Sequence, residues 1–277
     1  MRVNGVLTDN ITKVDDIAKS GITSVNGAKF VNVITNGLKL YLDPTHPRSY
    51  PGTGSTYYDL SSVGRNFTIN GPTFSGGTIK YFSFDGVNDY MDSASGTSIS
   101  VGTSGYTYQF WTYFPSAPDY ADTNYSVALV LADIEYPFWW DHRTNDTGSV
   151  ASGAGNSMLM AGNNAGTQAV TTIAETIPTG VWDFYTFRFL YSSTTQCRME
   201  IYRDDVLLVG ENNTASNSGT WSQYTSDRKW YIGAADIYGS ITRYSQARYG
   251  HILYYDRALT TTEMTRNYNN TKKYYGL

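Results

Sequence analysis

The chain has 277 residues, a formal net charge of -4 and a single cysteine, Cys197. An acidic balance offers no attraction to a phosphate backbone, which excludes nucleic acid as an expected partner, and one cysteine excludes an intrachain disulfide or a multi-cysteine metal site. With 25 Tyr, 11 Phe and 6 Trp against 16% charged residues, the chain can bury a large core of the aromatic kind that pleated sheets favour.

Residues 1–35 carry almost no aromatics and repeat an apolar residue followed by turn formers. Val3-Asn4-Gly5, Val14-Asp15-Asp16 and Val25-Asn26-Gly27 recur at 11-residue intervals, and Ile11-Thr12-Lys13-Val14 matches Ile22-Thr23-Ser24-Val25. Each unit fits a short strand, a tight turn at Asn-Gly or Asp-Asp, and a second short strand. So small a unit cannot bury its own apolar face. Val3, Val14 and Val25 therefore mark an arm for attachment or oligomerisation, with a symmetric homo-oligomer such as a trimer as the expected state. The competing reading is a flexible leader whose periodicity is accidental. Met1 to Gly5 lacks the apolar stretch of a secretory signal, and no window reaches the ~18 apolar residues of a membrane-spanning helix. The expectation is a soluble chain made in a cytoplasm, with no membrane insertion.

From Asn36 to Leu277 the chain reads as one all-β domain, an antiparallel sandwich of short strands separated by Gly, Asn, Asp and Pro clusters. Candidate strands run over 38–42, 79–84, 106–114, 126–133, 157–161, 182–191, 198–203, 229–234 and 250–255. The longest, 106–114, is aromatic at both odd and even positions, as in a central strand covered on each side. Met199 to Leu208 reads as a hairpin turning at Asp204-Asp205. The one clear helix closes the chain, where Thr260 and Glu263 have the spacing of a capping box.

At this point the landmarks resemble the laminin-G-like, concanavalin A-like jelly-roll superfamily. The residues that carry the likeness are Gly37-Leu38-Lys39-Leu40-Tyr41-Leu42-Asp43, Tyr58-Asp59-Leu60-Ser61 with Gly64-Arg65-Asn66, and Phe84-Asp85-Gly86-Val87-Asn88-Asp89-Tyr90, then Gly180-Val181-Trp182, Ile201 to Val206, Tyr231-Ile232-Gly233 and Ile252 to Thr260. It spans roughly residues 36 to 270 in the right order. A narrower resemblance is to jelly-roll structural proteins of tailed bacteriophages, in which such a domain often follows short Val-Asn-Gly-type repeats. That resemblance implies a virion component, such as a head decoration, neck or tail-fibre subunit, whose partners are other virion proteins and copies of itself.

Glycanases of this superfamily place carboxylates along one strand face by the two-residue period. The nearest match is Leu131-Ala132-Asp133-Ile134-Glu135, and Leu131 stands where the nucleophilic carboxylate has to be. Retaining hydrolysis loses its covalent step, so a non-enzyme is expected and a glycanase is the least favoured reading. His46, His142 and His251 lie in no recognisable nucleophile motif. Trp139, Trp140, Asp141 and His142, followed by Arg143, combine rings with polar groups and form a candidate glycan-binding patch, although adjacent strand residues face opposite ways and one Trp is expected in the core. This makes a carbohydrate-binding module or adhesin the alternative to the virion role. Asp85, Asn88 and Asp89 are candidate calcium ligands, as are Asp43 and Asp59, although the favoured reading is turn chemistry on their own backbone. No other cofactor is expected.

Overall fold

The computed structural model describes side chains over residues 33–94, 105–116, 177–190, 198–210, 229–234, 240–242 and 244–277, and further strands by their backbone pairing alone. The repeats come first, as β1 (Arg2–Val3) with β2 (Val6–Leu7), β3 (Lys13–Val14) with β4 (Ile17–Ala18), and β5 (Ser24–Val25) with β6 (Ala28–Lys29). Each pair is antiparallel, with Val3 opposite Val6, Val14 opposite Ile17 and Val25 opposite Ala28. In sequence, the residues separating the paired strands are Asn4-Gly5, Asp15-Asp16 and Asn26-Gly27.

The body continues with β7 (Leu38–Leu42), β8 (Thr56–Tyr57), β9 (Phe67–Asn70), β10 (Thr73–Ser75), β11 (Tyr81–Ser83) and β12 (Tyr90–Ser93). Next come β13 (Gly105–Tyr113), β14 (Ser126–Leu131), β15 (Phe138–Arg143), β16 (Asn156–Gly162), β17 (Gln168–Ile173) and β18 (Trp182–Tyr191). The last strands are β19 (Gln196–Arg203), β20 (Val206–Thr214), β21 (Tyr231–Ile232), β22 (Ala235–Ile237), β23 (Ser240–Thr242) and β24 (Arg248–Tyr255), followed by α1 (Thr261–Thr271) and a 3-10 turn over Lys272–Tyr274.

Two eight-stranded sheets form the sandwich. The front sheet runs β10-β11-β24-β13-β18-β19-β20, with β7 on β24, and the back sheet runs β17-β16-β15-β14-β21-β12-β9-β8. Every described pairing within them is antiparallel, as the absence of crossover helices in the sequence requires. Alternate residues of the front sheet, among them Tyr108, Phe110, Phe187, Ile201 and Tyr254, meet Tyr57, Phe67, Met91 and Ile232 of the back sheet in one apolar core.

The front sheet is covered on its outer face as well. Trp111 of β13 lies under Tyr268 and Tyr275 of the chain end, with ring centroids 5.9 and 4.2 Å away. This explains why β13 is buried from Gly105 to Thr112 at odd and even positions alike. The helix is held there by polar bonds as well as apolar ones. Asn267 donates to Gln109 Oε1 (2.6 Å) and to the Tyr255 hydroxyl (2.9 Å), and Trp111 Nε1 donates to Thr271 Oγ1 (2.8 Å). Its start is a full capping box, in which Thr260 N donates to Glu263 Oε2 at 2.9 Å and Glu263 N to Thr260 Oγ1 at 3.3 Å.

The same helix grips the segment between arm and body. Ile34 N donates to Asn267 Oδ1 (2.8 Å), Tyr255 Oη donates to Ile34 O (2.9 Å), and Val33 is buried. Residues 33–35, grouped with the arm by composition, are thus bonded to the sandwich. The Asp204-Asp205 turn takes positive φ at both residues, 49° and 72°, as a two-residue hairpin between Arg203 and Val206 demands.

Candidate functional site

The sequence-derived acidic candidates occupy tight turns. Asp85 Oδ1 accepts from the amides of Val87 (2.8 Å) and Asn88 (3.3 Å), and Asp89 Oδ2 accepts from Asp85 N (2.9 Å). Burial pushes the Asp89 carboxyl upward, against the pull of the Asp85 amide. Asp89 fills the space beside Gly71, where a Cβ would stand 2.0 Å from its Oδ1 and where φ is +98°. Asp59 accepts from the backbone amides of Tyr41, Ser61 and Arg65, each at 2.8 Å. Among the described residues no group of three His, Cys, Asp or Glu side chains is placed to hold a metal ion.

Trp139, Trp140, Asp141 and His142 lie on β15, which is paired on both sides. Trp139 is opposite Val130 and Met160, and Trp140 opposite Leu129 and Leu159. The segment is therefore a strand inside the back sheet rather than a loop, and adjacent positions on it belong to opposite faces. The side chains of these four residues lie outside the described residues. Leu131 ends β14, while Asp133 and Glu135 fall outside the described residues too.

Two clusters that sequence reasoning did not assemble stand out. The first is wholly buried. His251 Nε2 lies 3.1 Å from Asp43 Oδ1, without the alignment of a full hydrogen bond, and both side chains are inaccessible to solvent. Tyr41 Oη and Thr45 Oγ1 donate to Asp43 at 2.9 and 2.7 Å, and the Tyr275 hydroxyl accepts the main-chain amide of His251 and lies 2.7 Å from its Nδ1. Burial opposes ionisation of Asp43, but the neighbouring imidazole and these hydrogen bonds outweigh it and hold the carboxyl far below its usual range. An Asp-His pair closed to solvent has no path to a substrate. It ties β7, β24 and the chain end together.

The second cluster faces outward on the front sheet. Trp182 and Arg248 are the direct cross-strand partners of Tyr113 on either side, and Arg248 also pairs with Ser83 on β11. Their inward neighbours, Phe82 and Tyr249, belong to the core, so Tyr81, Arg248, Tyr113 and Trp182 share the outer face. The Arg248 guanidinium sits 4.5 Å from the Tyr113 ring centre and 5.2 Å from that of Tyr81. Trp182 lies 5.5 Å from Tyr81, 5.6 Å from Tyr113 and 4.7 Å from Tyr275, which backs it from below. All four residues are half-buried, and Val181 beside them is 47% exposed. The signal was weak in sequence because each residue marks a strand end on its own, and only pairing unites them.

No protein-family model matches the sequence, and no curated protein sequence matches it. The solved structures do give matches. The receptor-binding domain of botulinum neurotoxin C/D mosaic serotype superposes with a TM-score of 0.60 at 12% identity, over 88% of this chain and 55% of that one. The chain shares its sandwich fold. The binding domain of paraclostridial mosquitocidal protein 1 gives 0.59 at 14% identity, over 87% and 55% of the two chains. The botulinum neurotoxin serotype D ligand-binding domain, solved with N-acetylneuraminic acid, gives 0.61 at 11% identity, over 88% and 54%. The chain therefore spans about half the length of these structures, all of which are binding domains.

Proposed function

We propose that this chain is a non-catalytic recognition module that binds carbohydrate through its sandwich and is attached to a larger assembly by its N-terminal hairpins. The observation that carries this reading is the outward cluster of Tyr81, Tyr113, Trp182 and Arg248. A pyranose presents an apolar face that stacks on such rings, and its hydroxyls need the donors set between them. A group of rings left half-exposed beside the part of the sheet that α1 covers is costly unless something uses them. The same fold serves as a binding domain in the toxin structures, one of which was solved with a sugar acid.

The test is a glycan array probed with the whole chain and with Trp182→Ala and Tyr113→Ala. Loss of binding in these variants, with an unchanged circular dichroism spectrum, supports the reading, and no binding of the whole chain to any saccharide overturns it. Trp139→Ala and Trp140→Ala belong in the same series, since the β15 patch with Asp141 and His142 is the rival location for the site. Binding lost only there moves the site to the back sheet.

A virion structural role is the second reading. It is favoured by three successive two-stranded units at 11-residue spacing ahead of a laminin-G-like sandwich. In that setting the chain is a bacteriophage decoration or fibre-type subunit, and its sandwich is the part held out toward the host surface. Locating the chain on intact particles by electron cryomicroscopy, or failing to find it there, decides this reading.

A further inference from the structure

We infer that the outward cluster selects saccharides bearing a carboxylate, with Arg248 as the residue that reads the acid; this deepens the carbohydrate reading and rests on it. Several arginines and lysines of the described residues meet carboxylates, as Arg188 and Arg198 meet Glu200, Arg257 meets Glu263 and Lys229 meets Asp92. Arg248 differs. Among the described residues its side chain meets no carboxylate and makes no hydrogen bond, and its guanidinium lies over the rings of Tyr81 and Tyr113. A guanidinium stacked on rings uses its flat face and keeps its edge, where the parallel N–H donors lie, for a ligand.

That edge geometry matches a carboxylate, which accepts two parallel bonds from one arginine. A neutral sugar ring fits it less well, because its hydroxyl oxygens carry no charge and do not form the fixed planar pair that a carboxylate presents. Two further cations lie over rings nearby. Lys272 and Lys273 lie over the rings of Tyr268 and Tyr274, again with no carboxylate partner among the described residues, and these rings belong to the aromatic layer that includes Trp182. In a chain of net charge -4, this layer holds cations on rings rather than on acids. The ligand it fits has an apolar ring face for Trp182 and a carboxylate for Arg248.

The experiment is calorimetric titration of the full chain with N-acetylneuraminic acid and with a galacturonate oligosaccharide, against a neutral galactose oligosaccharide, at low and high salt. Acidic saccharides are expected to bind at least about tenfold more tightly than the neutral one, the margin of a charge-assisted bond pair. Added salt should narrow the gap. Arg248→Gln should erase the preference while leaving weak binding by the rings, and Arg248→Lys should recover only part of it. Equal binding of acidic and neutral saccharides, or a preference that survives Arg248→Gln, overturns the inference and leaves the carbohydrate reading intact. Absence of binding to every saccharide overturns both. Unchanged thermal unfolding of Arg248→Gln separates a lost contact from a lost fold.

Discussion

The Tyr275 hydroxyl holds both the main-chain amide and the ring of His251, at 2.8 and 2.7 Å, on a strand that bulges opposite Trp111. Tyr275→Phe strands a buried amide and is expected to cost about 1–3 kcal/mol, seen as a lower urea midpoint at unchanged slope. Gly250→Ala should cost more, because its new methyl would stand 1.9 Å from that hydroxyl and force the ring away. Asp183 gives a pH signature. Burial, then the charge of Asp204, pushes its carboxyl up to about 7 despite the opposing Arg203. The folded chain therefore keeps a proton that the unfolded chain has released, and stability should fall as pH rises from about 4 to 7 and then level off. Asp183→Asn imitates the protonated form. Denaturation curves between about pH 4 and 8 should lose this slope in the variant, which gains about 1–2 kcal/mol at the alkaline end once solvent screening is allowed for.

The C-terminal helix is bound by bonds that cannot be replaced one at a time. Asn267, itself without solvent access, uses its amide oxygen for Ile34 and its nitrogen for Gln109 and Tyr255. Asn267→Leu keeps its branched shape but leaves these partners bare, so a loss of about 2–4 kcal/mol is expected, together with faster amide exchange at Ile34. Thr260→Ala at the cap should cost only about 1 kcal/mol by the same denaturation assay. What the sequence made legible was local. The β13 aromatics, the Asp204-Asp205 turn and the capping box are each written in a few adjacent residues whose geometry is set by backbone preference. The outward cluster was not legible, because Tyr81, Tyr113, Trp182 and Arg248 come from four strands, and only register, set by the closing of β24 between β11 and β13, brings them together. Asp43 and His251 were hidden for the same reason, since each alone reads as a turn former or a strand residue. The β15 segment is missing from the candidate strands because Trp-Trp-Asp-His-Arg lacks clean alternation, yet tertiary pairing on both sides overrides that pattern.

At the scale of the molecule, the question is how the repeats connect to the sandwich. Their exit is fixed, since Ile34 is bonded on both its amide and its carbonyl and Arg257 Nε donates to Asn36 O at 3.0 Å. A pull at Ile34 is therefore delivered to α1 and to β24, a strand of the sheet that carries the outward cluster. The consequence separates two truncations. A chain starting at Val33 keeps these bonds, so its sandwich should unfold at the same denaturant concentration as the full chain. A chain starting at Asn36 loses both Ile34 bonds and the buried Val33, and should be less stable by about 2–4 kcal/mol. If the hairpins are the assembly device, both truncations run as monomers in sedimentation while the full chain runs as a defined oligomer. A full chain that sediments as a monomer, or a Val33 start that keeps the full-length stoichiometry, removes that role from the arm and leaves the sandwich faces as the only candidates for assembly.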